Sequence, residues 1–193
     1  MFPFEKYKAE LERRQSGKRL LHSLSVADEA VKLARRYGAD PERAYAAGLL
    51  HDITKQESYE NQLRLCADFD IILSNLERKT PKLLHAITGE QVARRELGVT
   101  DPVVLDAIRY HTTAKAGMPL PTAILYLADY VEPLRKFEGV DRVREVVYTD
   151  FDEALRRALD ATIIEVVEAG SLLHPDTLAA RNEIVERRLT LGR

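Results

Sequence analysis

Apolar residues along this chain return every three or four positions, the interval of a helix face, and not every second position as on a strand. Leu24, Ala27, Val31 and Ala34 step in this way, as do Val104, Leu105 and Ile108, and Ile124, Leu127, Ala128 and Val131. Ala154, Leu155, Ala158, Leu159, Thr162 and Ile163 keep the same period in a segment with arginines on its other face. The breaks between these runs carry helix punctuation. Gly38 precedes Asp40-Pro41, and Gly98 precedes Asp101-Pro102. Glycine takes the left-handed conformation that closes a helix. Asp then accepts from the free amides of the next first turn, and Pro fits that turn because no N–H is needed there. Thr80-Pro81 predicts a further start with a capping residue, and Leu120-Pro121 and His174-Pro175 predict two more. Residues 144–148 are β-prone but stand in a helical context, and residues 55–79 are more polar, with less sharply marked helices. The pattern predicts eight to ten helices in one all-α domain, a single-domain helical bundle spanning residues 1–193. Its last helix covers about residues 175–189 and ends in a solvated charged run, Glu186-Arg187-Arg188.

Composition narrows the function classes. The chain is 45% apolar and 31% charged, enough to bury a core and to exclude a wholly disordered chain. Twenty-nine Lys and Arg against 31 Asp and Glu leave a net charge of −2, without the basic excess of a generic nucleic-acid binder. The single cysteine, Cys66, excludes a disulfide framework and a Cys-rich zinc site. The N-terminus has no apolar run before its charges, and no apolar stretch approaches a membrane span. The expectation is a cytoplasmic protein with neither a nucleic-acid nor a membrane partner.

Several polar residues stand where the pattern calls for apolar ones. His51-Asp52 follows Ala44-Tyr45-Ala46-Ala47-Gly48-Leu49-Leu50, a run of small and apolar residues suited to close packing. A carboxylate desolvated at the end of such a helix needs a cation or several donors. Asp129 interrupts Ala123-Ile124-Leu125-Tyr126-Leu127-Ala128, where an acid is either paired or a ligand. His22, His85 and His111 each adjoin an apolar run on a different predicted helix. Singly, each reads as an ordinary core or surface histidine. Together they suit a metal site built from inward side chains of facing helices. Imidazole nitrogen and carboxylate oxygen without thiolate favour iron, manganese or another divalent first-row ion.

The ordered series His22, His51-Asp52, His85, His111, Asp129 resembles the HD superfamily of metal-dependent phosphohydrolases, and within it the YqeK-type HD-domain hydrolases of bacteria. The resemblance runs from Arg19-Leu20-Leu21-His22-Ser23 through Gly48-Leu49-Leu50-His51-Asp52-Ile53-Thr54-Lys55 and Leu84-His85. It continues in Arg109-Tyr110-His111-Thr112-Thr113 and in Leu127-Ala128-Asp129-Tyr130-Val131-Glu132-Pro133-Leu134-Arg135, and ends in His174-Pro175-Asp176-Thr177 with Asn182. It implies an HD core at about residues 18–136 followed by C-terminal helices at about 139–189. It also implies symmetrical hydrolysis of diadenosine tetraphosphate to two ADP, with iron as the native metal. One departure stands out: the family carries Gly after the His-Thr-Thr run, and here Ala114 follows.

The resemblance assigns roles. His22, His51, Asp52 and Asp129 are expected to hold the metal, one ion in the first instance. Asp52 would bridge to a second ion if one binds. His85 and His111 would either ligate that second ion or contact phosphate directly, as donors or as acid to the departing ADP, and with Asp52 they form the expected catalytic set. Lys55, Thr112 and Arg135 are candidates for the phosphate chain, with Arg135 alternatively an ordinary partner of Glu132. His174 and Thr177 are candidates for the nucleoside end, with His174 alternatively a plain helix cap. Arg19 is a further candidate. Tyr110, Tyr126 and Tyr130 read as packing residues more than as stacking platforms. A homodimer is admitted. The competing readings are another HD-type phosphohydrolase, such as a nucleotidase or phosphodiesterase, and a non-catalytic nucleotide-binding sensor.

Overall fold

The computed structural model describes residues 2–190 and 192, which form eleven α-helices, one 3-10 turn at 81–83 and no strand among the described residues. The helices are α1 (Phe4–Arg14), α2 (Gly17–Tyr37), α3 (Pro41–Leu50), α4 (Tyr59–Asp68), α5 (Asn75–Lys79) and α6 (Leu84–Arg95). They continue with α7 (Pro102–Tyr110), α8 (Leu120–Val131), α9 (Val140–Arg144), α10 (Phe151–Glu168) and α11 (Pro175–Thr190). The count exceeds eight to ten because α5 and α9 are five residues each, too short to show a period.

The local signals act as predicted at two junctions. Gly38 closes α2 with φ 75°, and the Asp40 side chain accepts from the amides of Glu42 and Arg43 at the start of α3. Asp101 caps α7 in the same way. Thr80 does not cap: its hydroxyl is buried without a partner, and the chain passes through the 3-10 turn before α6 begins. The cap of this region is Ser74, which makes a reciprocal capping box with Glu77 on α5.

The long helix α2 is the spine of the bundle. It packs most extensively on α3 and next on α8, and α7 packs on α8. Val26, Ala27, Ala30, Leu33 and Ala34 of α2 are fully buried against Ala46, Leu49 and Leu50 of α3 and Ile124, Leu127 and Ala128 of α8. The crossing of α2 and α3 is tight because Gly48 lacks a side chain: a Cβ there would lie 2.4 Å from Ala27 Cα. This close approach sets the C-terminal end of α3 beside the N-terminal part of α2. The charged run near the C-terminus is not simply solvated, since Arg188 pairs with Asp150 and Glu153 and Arg187 with Asp152, tying α11 to the start of α10.

Candidate metal centre

His51 and His111 follow directly on the last turns of α3 and α7, and His85 lies in the first turn of α6. His22 comes from α2 and Asp129 from α8. His51, Asp52, His85 and His111 are at most 3% exposed. Asp52 stands in the middle. Its Oδ1 lies 3.1 Å from His85 Nε2 and 3.5 Å from His111 Nε2. Its Oδ2 lies 3.6 Å from His51 Nε2 and 3.9 Å from His22 Nε2. Asp129 Oδ1 is 3.0 Å from His22 Nε2 and 4.0 Å from His51 Nε2. Two overlapping groups bring their ligand atoms close enough to share an ion: His22, His51 and Asp129, and His51, Asp52 and His111.

The tautomers are fixed from behind. A carbonyl only accepts, so Nδ1 of His51 donates to Gly48 O at 2.7 Å and Nδ1 of His111 donates to Ile108 O at 2.8 Å. Nδ1 of His22 faces the Glu132 carboxylate at 3.0 Å. Each ring therefore presents Nε2 to the centre, the arrangement that orients metal-ligating histidines. Nε2 of His51 is buried without a hydrogen-bond partner, and Nε2 of His22 is buried with only the Asp129 carboxylate at 3.0 Å beside it. Orphaned ring nitrogens beside carboxylates are what a divalent cation satisfies, so the residues fit a metal.

Electrostatics agree with this. Burial holds His51 and His85 down to about 4, which keeps both imidazoles neutral at pH 7. Burial alone would raise the Asp52 and Asp129 carboxyls. The imidazoles around Asp52, and His22 and Arg135 beside Asp129, outweigh it and hold both well below the usual carboxylate range. For His22, burial is outweighed by Asp129 and Glu132, which raise it.

Cations ring the centre. Arg19 donates to Asp52 Oδ2 at 2.7 Å, and Arg135 donates to Asp129 through Nη2 at 2.5 Å and to its carbonyl through Nε at 2.9 Å. Arg135 thus pairs with Asp129, and Glu132 turns instead to His22 and to the amide of Leu134 at 2.7 Å. Lys55 Nζ sits 3.2 to 3.3 Å from the His85 ring nitrogens, and burial lowers its pKa. The Thr112 hydroxyl lies 3.1 Å from His111 Nε2. Ala114, one residue beyond Thr113, has φ 56°, in the left-handed region that glycine occupies without strain.

His174 and Thr177 stand apart. They form the turn that opens α11, where Asp176 N donates to His174 Nδ1 and Thr177 N to His174 O, and among the described residues neither bonds to the centre. Tyr126 is buried with its hydroxyl on Thr162, and Tyr130 packs edge-on against Phe137, both as packing residues.

Three contributors escaped the sequence reading. Gln15, 3% exposed, donates to Asp52 O at 2.6 Å and accepts from Ser23 Oγ at 2.8 Å. Glu132, 1% exposed, holds His22. Arg144 grips three carbonyls at the end of α8 and beyond, those of Val131, Glu132 and Arg135, at 2.9, 2.7 and 3.0 Å.

Comparison with known proteins follows the same residues. Residues 19–134 match the HD domain family. A protein of Bacillus subtilis (strain 168) named symmetrical bis(5'-nucleosyl)-tetraphosphatase is 37% identical over 167 residues, 86% of this chain and 89% of its own length. A protein of Staphylococcus aureus with the same name is 33% identical over 162 residues, 84% of this chain and 80% of its own. A crystal structure from Clostridium acetobutylicum, described as a predicted HD superfamily hydrolase involved in NAD metabolism, matches with a TM-score of 0.92. It is 38% identical and covers 97% of this chain and 99% of that one. The matched stretch contains His22, His51, Asp52, His85, His111 and Asp129, and the chain belongs to the HD domain family.

Proposed function

We propose that this chain hydrolyses diadenosine tetraphosphate symmetrically, with one water consumed and two ADP released. The observation that carries the reading is Asp52, which places one carboxylate oxygen toward His22 and His51 and the other toward His85 and His111, with Arg19, Arg135 and Lys55 around it. His22, His51, Asp52 and Asp129 would hold a divalent first-row ion. Iron is proposed on the family resemblance. One ion is proposed, with a second position at Asp52, His85 and His111. The chemistry such a centre supplies is a water of lowered pKa and polarisation of a phosphoryl oxygen.

The chain's own residues do the rest. Arg135, Lys55 and Arg19 neutralise the phosphate chain, which carries most of the burden in phosphoryl transfer. The bidentate reach of Arg135 suits two phosphate oxygens. His85, His111 and Thr112 lie side by side and hold or deliver a proton to the departing ADP. His174 and Thr177 are proposed for the nucleoside end, on the strength of their sequence motif. Residues 18–136 are proposed as the unit that carries the chemistry, with residues 139–189 closing against it. A cytoplasmic location is proposed, and no helix of the described residues is long and apolar enough to cross a membrane. A homodimer is proposed, and sedimentation velocity reads it directly.

Metal-loaded protein incubated with diadenosine tetraphosphate should yield ADP as sole product by chromatography. Formation of AMP with ATP, or fast cleavage of a mononucleotide with no turnover of the dinucleotide, would replace the reading with another HD-type activity. Chelation should silence the enzyme and leave it folded. Unfolding on chelation would mark the metal as structural.

A further inference from the structure

Helix α8 must end at Val131, because Pro133 cannot continue it. The end of a helix leaves carbonyls without partners, and buried ones need donors. Arg144, from α9, supplies them. One guanidinium donates to Val131 O, Glu132 O and Arg135 O and so fixes the course of the chain from the end of α8 to Arg135. The Glu132 side chain completes the turn from inside. Its Oε2 accepts from Leu134 N at 2.7 Å, and its Oε1 faces His22 Nδ1 at 3.0 Å. A single buried carboxylate thus touches a candidate metal ligand with one oxygen and the turn carrying a candidate phosphate-binding arginine with the other.

We propose that Glu132 and Arg144 form a clasp that positions both halves of the site. Glu132 sets the tautomer and ring direction of His22 and shapes the turn 132–135. Arg144 locks that turn from outside, so that Arg135 reaches the phosphate chain. Both are positioning residues, and neither touches substrate. The phosphate half of this inference rests on the function proposed above, and the His22 half rests on the geometry of the metal centre.

The two halves separate experimentally. Mn²⁺ affinity is measured by competition with a fluorescent chelator. ADP affinity is measured by calorimetry at saturating Mn²⁺. R144A should keep Mn²⁺ affinity within about twofold and weaken ADP roughly tenfold, the scale of one well-placed charged hydrogen bond. E132A should weaken Mn²⁺ by roughly 10- to 100-fold, as loss of an outer partner of a ligating His does, and weaken ADP as well. Nitrogen-15 imidazole spectra should show His22 protonated at Nδ1 in the wild type and mixed in E132A. E132Q guards against misfolding of E132A. Its amide has one acceptor oxygen for two donors, His22 Nδ1–H and Leu134 N–H, so at least one affinity should fall roughly tenfold. E132Q and R144A matching the wild type in both affinities would overturn the clasp alone. Equal loss of Mn²⁺ affinity in R144A and E132A would overturn the division of labour. A wild type that takes up neither Mn²⁺ nor ADP would overturn the clasp and the proposed function together.

Discussion

Replacing Gly48 with Ala should both destabilise the protein and disable its metal centre. The added Cβ would lie 2.4 Å from Ala27 Cα, 2.9 Å from Ala27 N and 3.0 Å from Ala27 Cβ. Carbon atoms in contact sit about 3.5 to 4.0 Å apart, so α2 and α3 must part by roughly 1 Å. The two nearest atoms are backbone, and no side chain can swing aside. Overpacking of this kind costs about 1–3 kcal/mol or more, while Ala in place of helical Gly returns about 1 kcal/mol. With two backbone atoms inside 3 Å the cost falls at the upper end of that range, about 3 kcal/mol, and the net loss of about 2 kcal/mol lowers Tm by roughly 4–8 °C for a chain of this size. The functional effect should be larger than the stability effect suggests. His51 lies three residues on and donates to Gly48 O, so it travels with α3. Metal sites tolerate ligand errors of only about 0.2 Å. Urea melts and Mn²⁺ titration of the same preparation measure both effects, with at least a tenfold loss of metal affinity expected. A G48A protein as stable as wild type that binds Mn²⁺ equally well would refute the argument that this crossing sets the site.

Gly89 of α6 is the control: a Cβ there meets only ordinary contacts of 3.5 and 3.6 Å, so G89A should be tolerated and stabilise by about 0.5–1 kcal/mol in a urea melt. Asp52→Ala should reduce retained metal and turnover to background while circular dichroism reports unchanged helix content, and persisting hydrolysis would count against the metal-centred reading. Glu153, in the first turn of α10, is held down to about 2, chiefly by its hydrogen bond from Arg156 against the opposing effect of burial. A carboxyl lowered in the folded state stabilises above its unfolded pKa and loses that contribution as pH falls through the folded value. Its arginine partners are about one-third exposed, so screening leaves about 1 kcal/mol. E153Q should therefore have a lower urea midpoint than wild type at pH 7, and the gap should close between about pH 5 and 1. A gap that survives undiminished at about pH 1 would assign the effect to something other than this charge.

What the sequence disclosed depended on where each signal lives. Asp40 and Asp101 announced their helices because a cap acts on amides two and three residues away. His51-Asp52 and Asp129 stood out because a polar group in an apolar run breaks a visible pattern. Thr80 carried the same local sign as the true caps, but the 3-10 turn after Pro81 carries the chain away from it. Ala114 was legible as a departure from the family, and its φ of 56° supplies the reason that Gly belongs there. Gln15 and Arg144 were illegible for a definite reason: they bind main-chain carbonyls, which every residue possesses. No choice of side chain at the accepting end records the contact.

Those two residues bear on how such a unit can be moved between proteins. Gln15 and Arg144 both lie outside the stretch 19–134 that the family shares. Gln15 steadies the main chain at Asp52 from before it, and Arg144 steadies the main chain at Glu132 from after it. The recognisable segment is therefore not a portable cassette. Excised at its sequence boundaries and grafted elsewhere, it would carry every metal-ligand candidate and lack the two struts that aim them. A transplant that works must take α1 and α9 along, or find an amide and a guanidinium in its new host.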